Sequence, residues 1–286
     1  MKPRVGVTIF SAQGPRWLGS ACCLVLACSQ DGTGPAAPRY DLTFDNGGAI
    51  YETAVDSPQV RLVMQDSLPT YDLSWSPDGR RVAFTRAYGG EGPVFYYRVL
   101  IYNTGDGSQF ELTHGPDDSF QPAWSPDGTR IAYLTRAPDS IDATLRTVRP
   151  DGTDDRPLGT ERYYVRPPDW SPDGRELAAT RHDMTIVRVD AVTGAVVRAV
   201  AAGVSPTWSP DGRRLAFVAD GITITNADGS HPTIIAFTGY EPAWSPEGTW
   251  IAVEAGDIDV IPAGARDTTA IRPIAPGRRP AWRLRQ

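Results

Sequence analysis

Cysteine is almost absent from this sequence, and the three cysteines of the 286-residue chain, Cys22, Cys23 and Cys28, all lie in its first thirty residues. The rest of the sequence therefore has no thiol to form a disulfide, bind zinc or act as a nucleophile. Lysine is equally scarce, since Lys2 is the only one, and 28 basic against 34 acidic residues give a formal net charge of −6. Without a basic run to match a phosphate backbone, we expect no nucleic-acid partner.

Several catalytic motifs are also missing from the sequence. There is no Gly-x-Ser-x-Gly nucleophile elbow and no glycine-rich phosphate loop. The three histidines, His114, His182 and His231, do not share a position in the repeats described below, so they predict no common set of metal ligands. We therefore expect a non-catalytic protein that has no cofactor and no metal.

The N-terminal segment has the order of a secretory signal. Lys2, Arg4 and Arg16 precede an apolar run from Trp17 to Ala27, which is shorter than the roughly 20 residues that span a bilayer. The run ends in Val25-Leu26-Ala27-Cys28, which resembles a bacterial lipobox and implies that Cys28 receives a lipid. We expect a signal peptide over residues 1–27 and a flexible tether over 28–40; the alternative is an ordinary cleaved signal with an incidental cysteine. The expected location is the periplasmic side of a bacterial membrane, with the outer membrane preferred.

One motif recurs along the chain. Trp-Ser-Pro-Asp-Gly, or Trp-Ser-Pro-Glu-Gly in the last copy, begins at Trp75, Trp124, Trp170, Trp208 and Trp244, and a sixth tryptophan follows at Trp282. Proline presets φ, the acidic side chain accepts backbone hydrogen bonds and glycine takes a positive φ, so each copy predicts a tight turn. Eight residues after each of the five tryptophans comes an alanine inside a short apolar run, which indicates a strand covered on both faces.

Further strand-like runs and glycine turns complete about four short strands per repeat of roughly forty residues, which is typical of a propeller blade. The sixth motif leaves room for one strand, whereas residues 41–64 offer three strands without a preceding tryptophan motif: 42–44, 50–53 and 59–63. The sequence therefore predicts an all-β, six-bladed propeller over residues 41–286. Its four-stranded antiparallel blades would be closed by one C-terminal and three N-terminal strands.

The pattern Pro-x-Trp-Ser-Pro-Asp-Gly-x-x-Ile-Ala-Phe resembles the TolB-type β-propeller repeat, a relative of the WD repeat, across residues 41–286. The resemblance implies a binding or scaffold module of the cell envelope. TolB itself carries an α/β domain before its propeller, whereas about a dozen residues separate Cys28 from the first predicted strand here. The resemblance is therefore to the propeller alone, and it does not extend to the Tol–Pal role.

Functional residues are expected where the repeats differ close to the channel. The two positions that lie four and three residues before each tryptophan enter the innermost strand and should circle one mouth of the channel. The candidate ligand-binding residues at these positions are Tyr71, Asp72, Phe120, Gln121, Arg166, Tyr240, Glu241, Arg278 and Arg279. Aromatic and arginine side chains commonly anchor interfaces, so we expect an envelope protein or peptide to bind a monomeric domain there.

Two alternatives to a ligand-binding ring stay open. The first is a merely solvated rim. The second is an enzyme, a polysaccharide lyase or hydrolase, that uses a carboxylate pair such as Asp72 and Glu241 at the channel mouth. The glycine-rich segment from Ala87 to Phe95 is expected to be a loop that borders the same mouth and acts as a flap.

Overall fold

The fold is defined by a computed structural model that describes residues 40–56, 59–89, 95–265 and 270–284. Within these residues 24 strands form six four-stranded antiparallel sheets. The structure confirms the predicted all-β, six-bladed propeller. No helix with the length and apolar character of a membrane span occurs in the part of the chain that the structure describes. The expected signal peptide, the tether before Tyr40 and Cys28 lie outside the described residues.

Each blade is described from the channel outwards. Blade 1 consists of β24 (Arg278–Leu284), β1 (Tyr40–Asp45), β2 (Ala49–Thr53) and β3 (Arg61–Gln65). Blade 2 consists of β4 (Thr70–Trp75), β5 (Arg81–Gly89), β6 (Phe95–Asn103) and β7 (Gln109–Glu111). Blade 3 consists of β8 (Asp118–Trp124), β9 (Ile131–Arg136), β10 (Thr144–Val148) and β11 (Arg156–Pro157).

The other three blades follow the same order. Blade 4 consists of β12 (Asp169–Trp170), β13 (Glu176–Thr180), β14 (Thr185–Asp190) and β15 (Val196–Ala202). Blade 5 consists of β16 (Val204–Trp208), β17 (Arg214–Val218), β18 (Ile222–Asn226) and β19 (Thr233–Ala236). Blade 6 consists of β20 (Tyr240–Trp244), β21 (Trp250–Glu254), β22 (Ile258–Pro262) and β23 (Arg272–Ala275).

The ring closes in blade 1, where the two ends of the domain meet. Leu42 of β1 lies opposite Trp282 of β24 in an antiparallel register, and the Thr43 hydroxyl donates a hydrogen bond of 2.8 Å to the carbonyl oxygen of Ala281. One C-terminal strand thus completes a blade of three N-terminal strands, which confirms the predicted closure. The third N-terminal strand begins at Arg61, two residues later than predicted.

The repeated residues build the scaffold between blades. The five repeat alanines on the second strands, Ala83, Ala132, Ala178, Ala216 and Ala252, are all 0% exposed. The repeat tryptophans reach the neighbouring blade, because the indole N–H of Trp170 donates to the Ala123 carbonyl oxygen and that of Trp282 to the Ala243 carbonyl oxygen, both at 3.0 Å. These two tryptophans therefore connect neighbouring blades.

Arginine guanidinium groups cover several of these indole rings from the adjacent blade. Arg81 lies 4.7 Å from the ring centre of Trp124, and Arg283 lies 4.4 Å from that of Trp75. Such cation–π contacts add to the apolar packing, and the Arg283 contact ties the closing strand to blade 2.

The turn after each tryptophan is braced by its acidic residue. In blade 3 the Ser125 hydroxyl and the backbone N–H of Thr129 donate to Asp127 Oδ1, at 2.6 and 3.0 Å. Gly128 closes the turn with a φ of 70°, a conformation that glycine adopts without steric cost. The hydrogen bonds from Ser125 and Thr129 lower the pKa of Asp127, so this carboxylate is a structural element of the turn.

Candidate functional site: the central cavity

The inner strands share a backbone distortion three residues before the repeat tryptophan. Five of the six positions have left-handed φ values between 48° and 59°: Asp72, Gln121, Ser205, Glu241 and Arg279. In blades 2, 3, 5 and 6 the strand register also shifts at this point. A left-handed residue other than glycine is uncommon and typically costs on the order of 1 kcal/mol, so its repetition marks a feature of the blade rather than an accident.

The sixth copy of this position is Pro167, whose ring holds φ near −65° and excludes the left-handed conformation. The inner strand of blade 4 is accordingly only two residues long, Asp169–Trp170. In the blades that contain the bulge, the bulge changes the direction in which its left-handed residue points its side chain.

The side chains at this position meet around the axis of the propeller. They line a cavity of about 320 Å³. All six members of the ring take part: Asp72, Gln121, Pro167, Ser205, Glu241 and Arg279. The structure therefore brings together the candidate residues that lie three before each tryptophan. We call this space the central cavity.

The residues one position earlier behave differently. Tyr240 is 67% exposed and Arg278 is also exposed, whereas Tyr71 and Arg166 are half-buried. Phe120 is only 7% exposed, because it packs between Tyr97, at 4.9 Å between ring centres, and the guanidinium group of Arg136. Phe120 is thus part of the packing and does not present its ring at a rim.

Arg279 is the centre of the charged groups in the cavity. Its Nη1 lies 3.4 Å from Asp45 Oδ2, and its Nε lies 3.4 Å from Asp72 Oδ1 and 3.9 Å from Glu241 Oε2. The guanidinium group also lies 4.6 Å above the ring of Tyr71. One guanidinium group from blade 1 is therefore shared by carboxylates from blades 1, 2 and 6.

Burial controls the protonation of these carboxylates. It raises the pKa of Asp45 to about 6, with Arg279 opposing the shift, and it raises the pKa of Asp72 as well. Burial, together with the charge of Asp72, raises the pKa of Glu241 to about 7. Arg279 does not fully compensate for the desolvation, since three carboxylates share it.

Two acidic residues at the site were missed by the sequence reasoning. Asp45 is fully buried and lies on β1 opposite Arg278, and Glu254 Oε2 accepts a hydrogen bond of 3.1 Å from the backbone N–H of Arg279. Glu254 stands ten residues after Trp244. The same repeat position holds Thr85 and Thr180, whose hydroxyls accept the backbone N–H of Gln121 and Ser205 in the next blade, both at 3.2 Å. This recurrence of polar residues was visible in the repeats.

The expected flap is partly a strand. Ala87 to Gly89 continue β5, which pairs with β6 over nine residues on each side, and residues 90–94 lie outside the described residues. The Tyr88 and Tyr96 rings stack at 5.0 Å, and the backbone N–H of Tyr97 donates to Asp118 Oδ1 at 3.0 Å. The prediction of a loop is therefore wrong for residues 87–89 and for Phe95, because the stacked pair of Tyr88 and Tyr96 extends the hairpin.

The histidines stay apart in the structure. His182 Nδ1 lies 2.7 Å from Asp142 Oδ1, His114 Nδ1 lies 3.9 Å from Glu111 Oε2, and His231 faces Asn226. Among the residues that the structure describes, no group of three or more histidine, cysteine, aspartate or glutamate side chains is placed to hold a metal ion.

The repeats, the closure and the central cavity define a six-bladed propeller with a polar axial site. The family described as the TolB beta propeller domain matches residues 95–268, and the chain belongs to this family. Among solved structures, TolB from Acinetobacter baumannii is similar over 87% of this chain and 67% of its own, with 18% identity and a TM-score of 0.69. A structure of oligogalacturonate lyase in complex with manganese is similar over 74% of this chain and 70% of its own, with 14% identity and a TM-score of 0.56. At these identities both similarities concern the fold alone.

A curated relative is the uncharacterized peptidase YuxL of Bacillus subtilis (strain 168). It is 30% identical over 111 residues, which are 38% of this chain and 17% of the relative. The chain thus spans less than a fifth of that protein's length.

Proposed function

We propose that this protein is a non-catalytic scaffold of the bacterial cell envelope that binds a protein or peptide at the rim of the central cavity. The observation that carries the proposal is the pair of exposed anchors beside the cavity, Tyr240 and Arg278. Each directly precedes a cavity residue, Glu241 or Arg279. Tyrosine and arginine are enriched among the residues that dominate binding energy, and a rim with a charged centre suits a partner that inserts a side chain.

The proposed location depends on the lipobox-like sequence that ends at Cys28. By this proposal the domain is exported, lipid-anchored at Cys28 and exposed on the periplasmic side of the membrane, where an envelope partner meets the rim. The sequence, with 28 basic against 34 acidic residues, carries no basic run of the kind that binds nucleic acid.

Site-specific photo-crosslinking in the native cell tests the scaffold function. A photoreactive phenylalanine analogue at Tyr240 should give a discrete adduct with a protein or peptide. The matched control is Phe110, which is 45% exposed on the outer strand β7 of blade 2 and should give no such adduct. Equal labelling at the two positions, or none at Tyr240, would contradict the proposed rim.

A propeller enzyme is the second candidate function, because the pKa of Glu241, about 7, lies in the range that suits a general acid or base. The candidate carboxylate pair is Asp72 and Glu241. Incubation with pectic and other acidic polysaccharides, followed by detection of shortened or unsaturated products, tests it. Turnover that is lost in Asp72→Asn and kept in Asp173→Asn, a change in a turn outside the cavity, would replace the scaffold proposal by an enzyme.

Metabolic labelling with an alkyne fatty acid tests the anchor. The wild type and Cys22→Ala should be labelled, whereas Cys28→Ala should lose the label and leave the membrane fraction. The two cysteines differ by six positions in the same segment, so Cys22 is a matched control. Labelling of Cys28→Ala at the wild-type level would disprove the anchor without affecting the fold.

A further inference from the structure

We propose that the central cavity binds one organic cation, a guanidinium or primary ammonium group, against Glu241, Asp72 and the free amide oxygen of Gln121. The inference rests on the proposed function and deepens it, because a basic side chain of a bound peptide is one source of such a group. A free amine of low molecular mass is the other source. The shared chemistry is a compact positive charge with several N–H donors.

The first support is the balance of charge around Arg279. Glu254 has its own partner at the rim, since its Oε1 lies 4.0 Å from Arg278 Nε. Asp45, Asp72 and Glu241 share Arg279. Arg166 also lowers the pKa of Asp72 and Glu241, but its Nη1 donates to the Val165 carbonyl oxygen at 3.1 Å. Three carboxylates against these two guanidinium groups leave one negative charge without a cation.

The second support is independent of charge and comes from Gln121. Its side chain lines the cavity, the residue is 8% exposed, and its Oε1 has no hydrogen-bond partner among the described residues. Its Nε2 donates to Asp72 Oδ1 at 2.9 Å, which fixes the orientation of the amide because a carboxylate only accepts. A buried acceptor without a donor is unfavourable, so the site is complete only when a donor arrives.

The cavity distinguishes an organic cation from a metal ion. A volume of about 320 Å³ lies at the lower end of the range for small-molecule pockets and accommodates the end of an arginine or lysine side chain. Calcium needs six to eight oxygen ligands at about 2.3–2.6 Å, whereas the carboxylates here are spread around a guanidinium group. An ammonium or guanidinium group needs only a few acceptors in different directions, which Glu241, Asp72 and Gln121 provide.

Binding is expected to depend on pH through Glu241. This side chain faces Asp72 from β4, Glu254 from β21, Arg279 from β24 and Arg166 from the segment before β12. The cation binds the ionised form of Glu241, whose pKa in the free protein is about 7. Affinity should therefore fall as the pH decreases, by about tenfold between pH 8 and pH 6, and binding near pH 7 should release a proton.

Isothermal titration of the full-length protein in detergent tests the inference. The probes are N-acetylarginine amide, which represents a peptide side chain, agmatine, which represents a free amine, and calcium chloride. At pH 8 at least one organic probe should bind, and the probe that binds more tightly identifies the source. Glu241→Gln should weaken its binding at least tenfold and remove the pH dependence, whereas Glu247→Gln, in a turn of the same blade outside the cavity, should change neither.

A second variant separates binding from folding. Gln121→Asn withdraws the amide by one methylene and so also removes its hydrogen bond to Asp72, while asparagine tolerates the left-handed backbone; the variant should still unfold cooperatively and bind the cation more weakly. Absence of binding by both organic probes, equal effects of the two glutamate variants, or tighter binding of calcium would overturn the inference. A Tyr240 adduct that persists without cation binding would leave the scaffold function intact. Cation binding without an adduct would overturn the scaffold function alone.

Discussion

At the scale of single residues, the preceding blade holds the backbone of at least three of the cavity residues. The backbone N–H groups of three left-handed residues donate hydrogen bonds to side chains of the preceding blade: Gln121 to Thr85, Ser205 to Thr180 and Arg279 to Glu254. Residues of different types can occupy this position, because the hydrogen bond from the backbone N–H does not depend on the side chain of the cavity residue.

Asp169 gives a residue-scale prediction. Its Oδ2 accepts the Trp208 backbone N–H at 2.6 Å and the Thr207 hydroxyl at 3.1 Å, and burial raises its pKa to about 6. Between its ordinary pKa near 4 and about 6 the folded state binds more protons than the unfolded state, so this group makes the protein less stable as the pH rises through 6. Asp169→Asn, whose oxygen can accept both hydrogen bonds, should stabilise the fold by about 1–2 kcal/mol at pH 8 and by about half as much at pH 5.

Thermal unfolding at the two pH values measures this effect. Asp127→Asn serves as the control of opposite sign, because hydrogen bonds lower the pKa of Asp127 and its ionised form stabilises the turn at pH 8. If Asp169→Asn lowered the melting temperature equally at pH 5 and pH 8, the prediction would be wrong. Asp169 would then serve as a hydrogen-bond acceptor whose buried charge does not reduce the stability of the fold.

The sequence was sufficient to predict the six positions that line the central cavity, but not the residues that contact them. The six cavity positions follow from the spacing to tryptophan, because the repeats align one strand with another. Asp45 and the role of Arg279 do not follow from that spacing, since they depend on the pairing of β1 with β24 and on side-chain reach across the axis. The burial of Phe120 has the same origin: it depends on Tyr97 and Arg136, which belong to an unrepeated hairpin and to the next strand.

At the scale of the strands and turns, contacts between blades determine whether a turn glycine can be replaced by a larger residue. Gly194, between β14 and β15, faces Gly159 of the preceding blade so closely that an added Cβ would overlap the Gly159 nitrogen and the Leu158 carbonyl carbon. The reverse substitution is also blocked, since a Cβ on Gly159 would lie 2.6 Å from the Gly194 carbonyl oxygen.

Gly194→Ala should therefore destabilise the fold by roughly 3 kcal/mol or more, because backbone atoms cannot move aside as a flexible side chain does. Gly174→Ala is the matched control: its φ of 70° is similar, but nothing lies within 4 Å of the added Cβ. That change should cost only about 1 kcal/mol, the strain of a left-handed alanine. Urea unfolding of the two variants measures the difference in stability. Similar urea midpoints for Gly194→Ala and Gly174→Ala would contradict the prediction and show that the two blades move apart easily at this contact.

At the scale of the whole molecule, the repeats were sufficient to predict the blade number and the closure. Five copies of one turn supply their own alignment, and the strand count at the two ends leaves one arrangement of blade 1. The first and last residues of individual strands were harder to predict from the sequence. The third strand starts at Arg61 and β5 extends to Gly89, because outer strands and hairpin ends carry no repeated residue.

Removal of residues 280–286 tests the closure as a property of the whole ring. The deletion takes away the pairing of β24 with β1, the indole of Trp282 and the contact of Arg283 with Trp75. We expect aggregation or a melting temperature lower by at least about 10 °C, since several kcal/mol of contacts are lost in a domain of this size. A deletion of 280–286 that melts like the wild type would refute the closure.

The pairing of β24 with β1 has a kinetic consequence. The hydrogen bond between Thr43 and Ala281 joins residues 238 positions apart, which is close to the full length of the domain. Contacts between such distant residues form slowly, because the intervening chain must be ordered or drawn in first. During synthesis β1 leaves the ribosome long before its partner strand β24, so blade 1 keeps an open edge until β24 has emerged. Docking of β24 should therefore be the slowest step of folding.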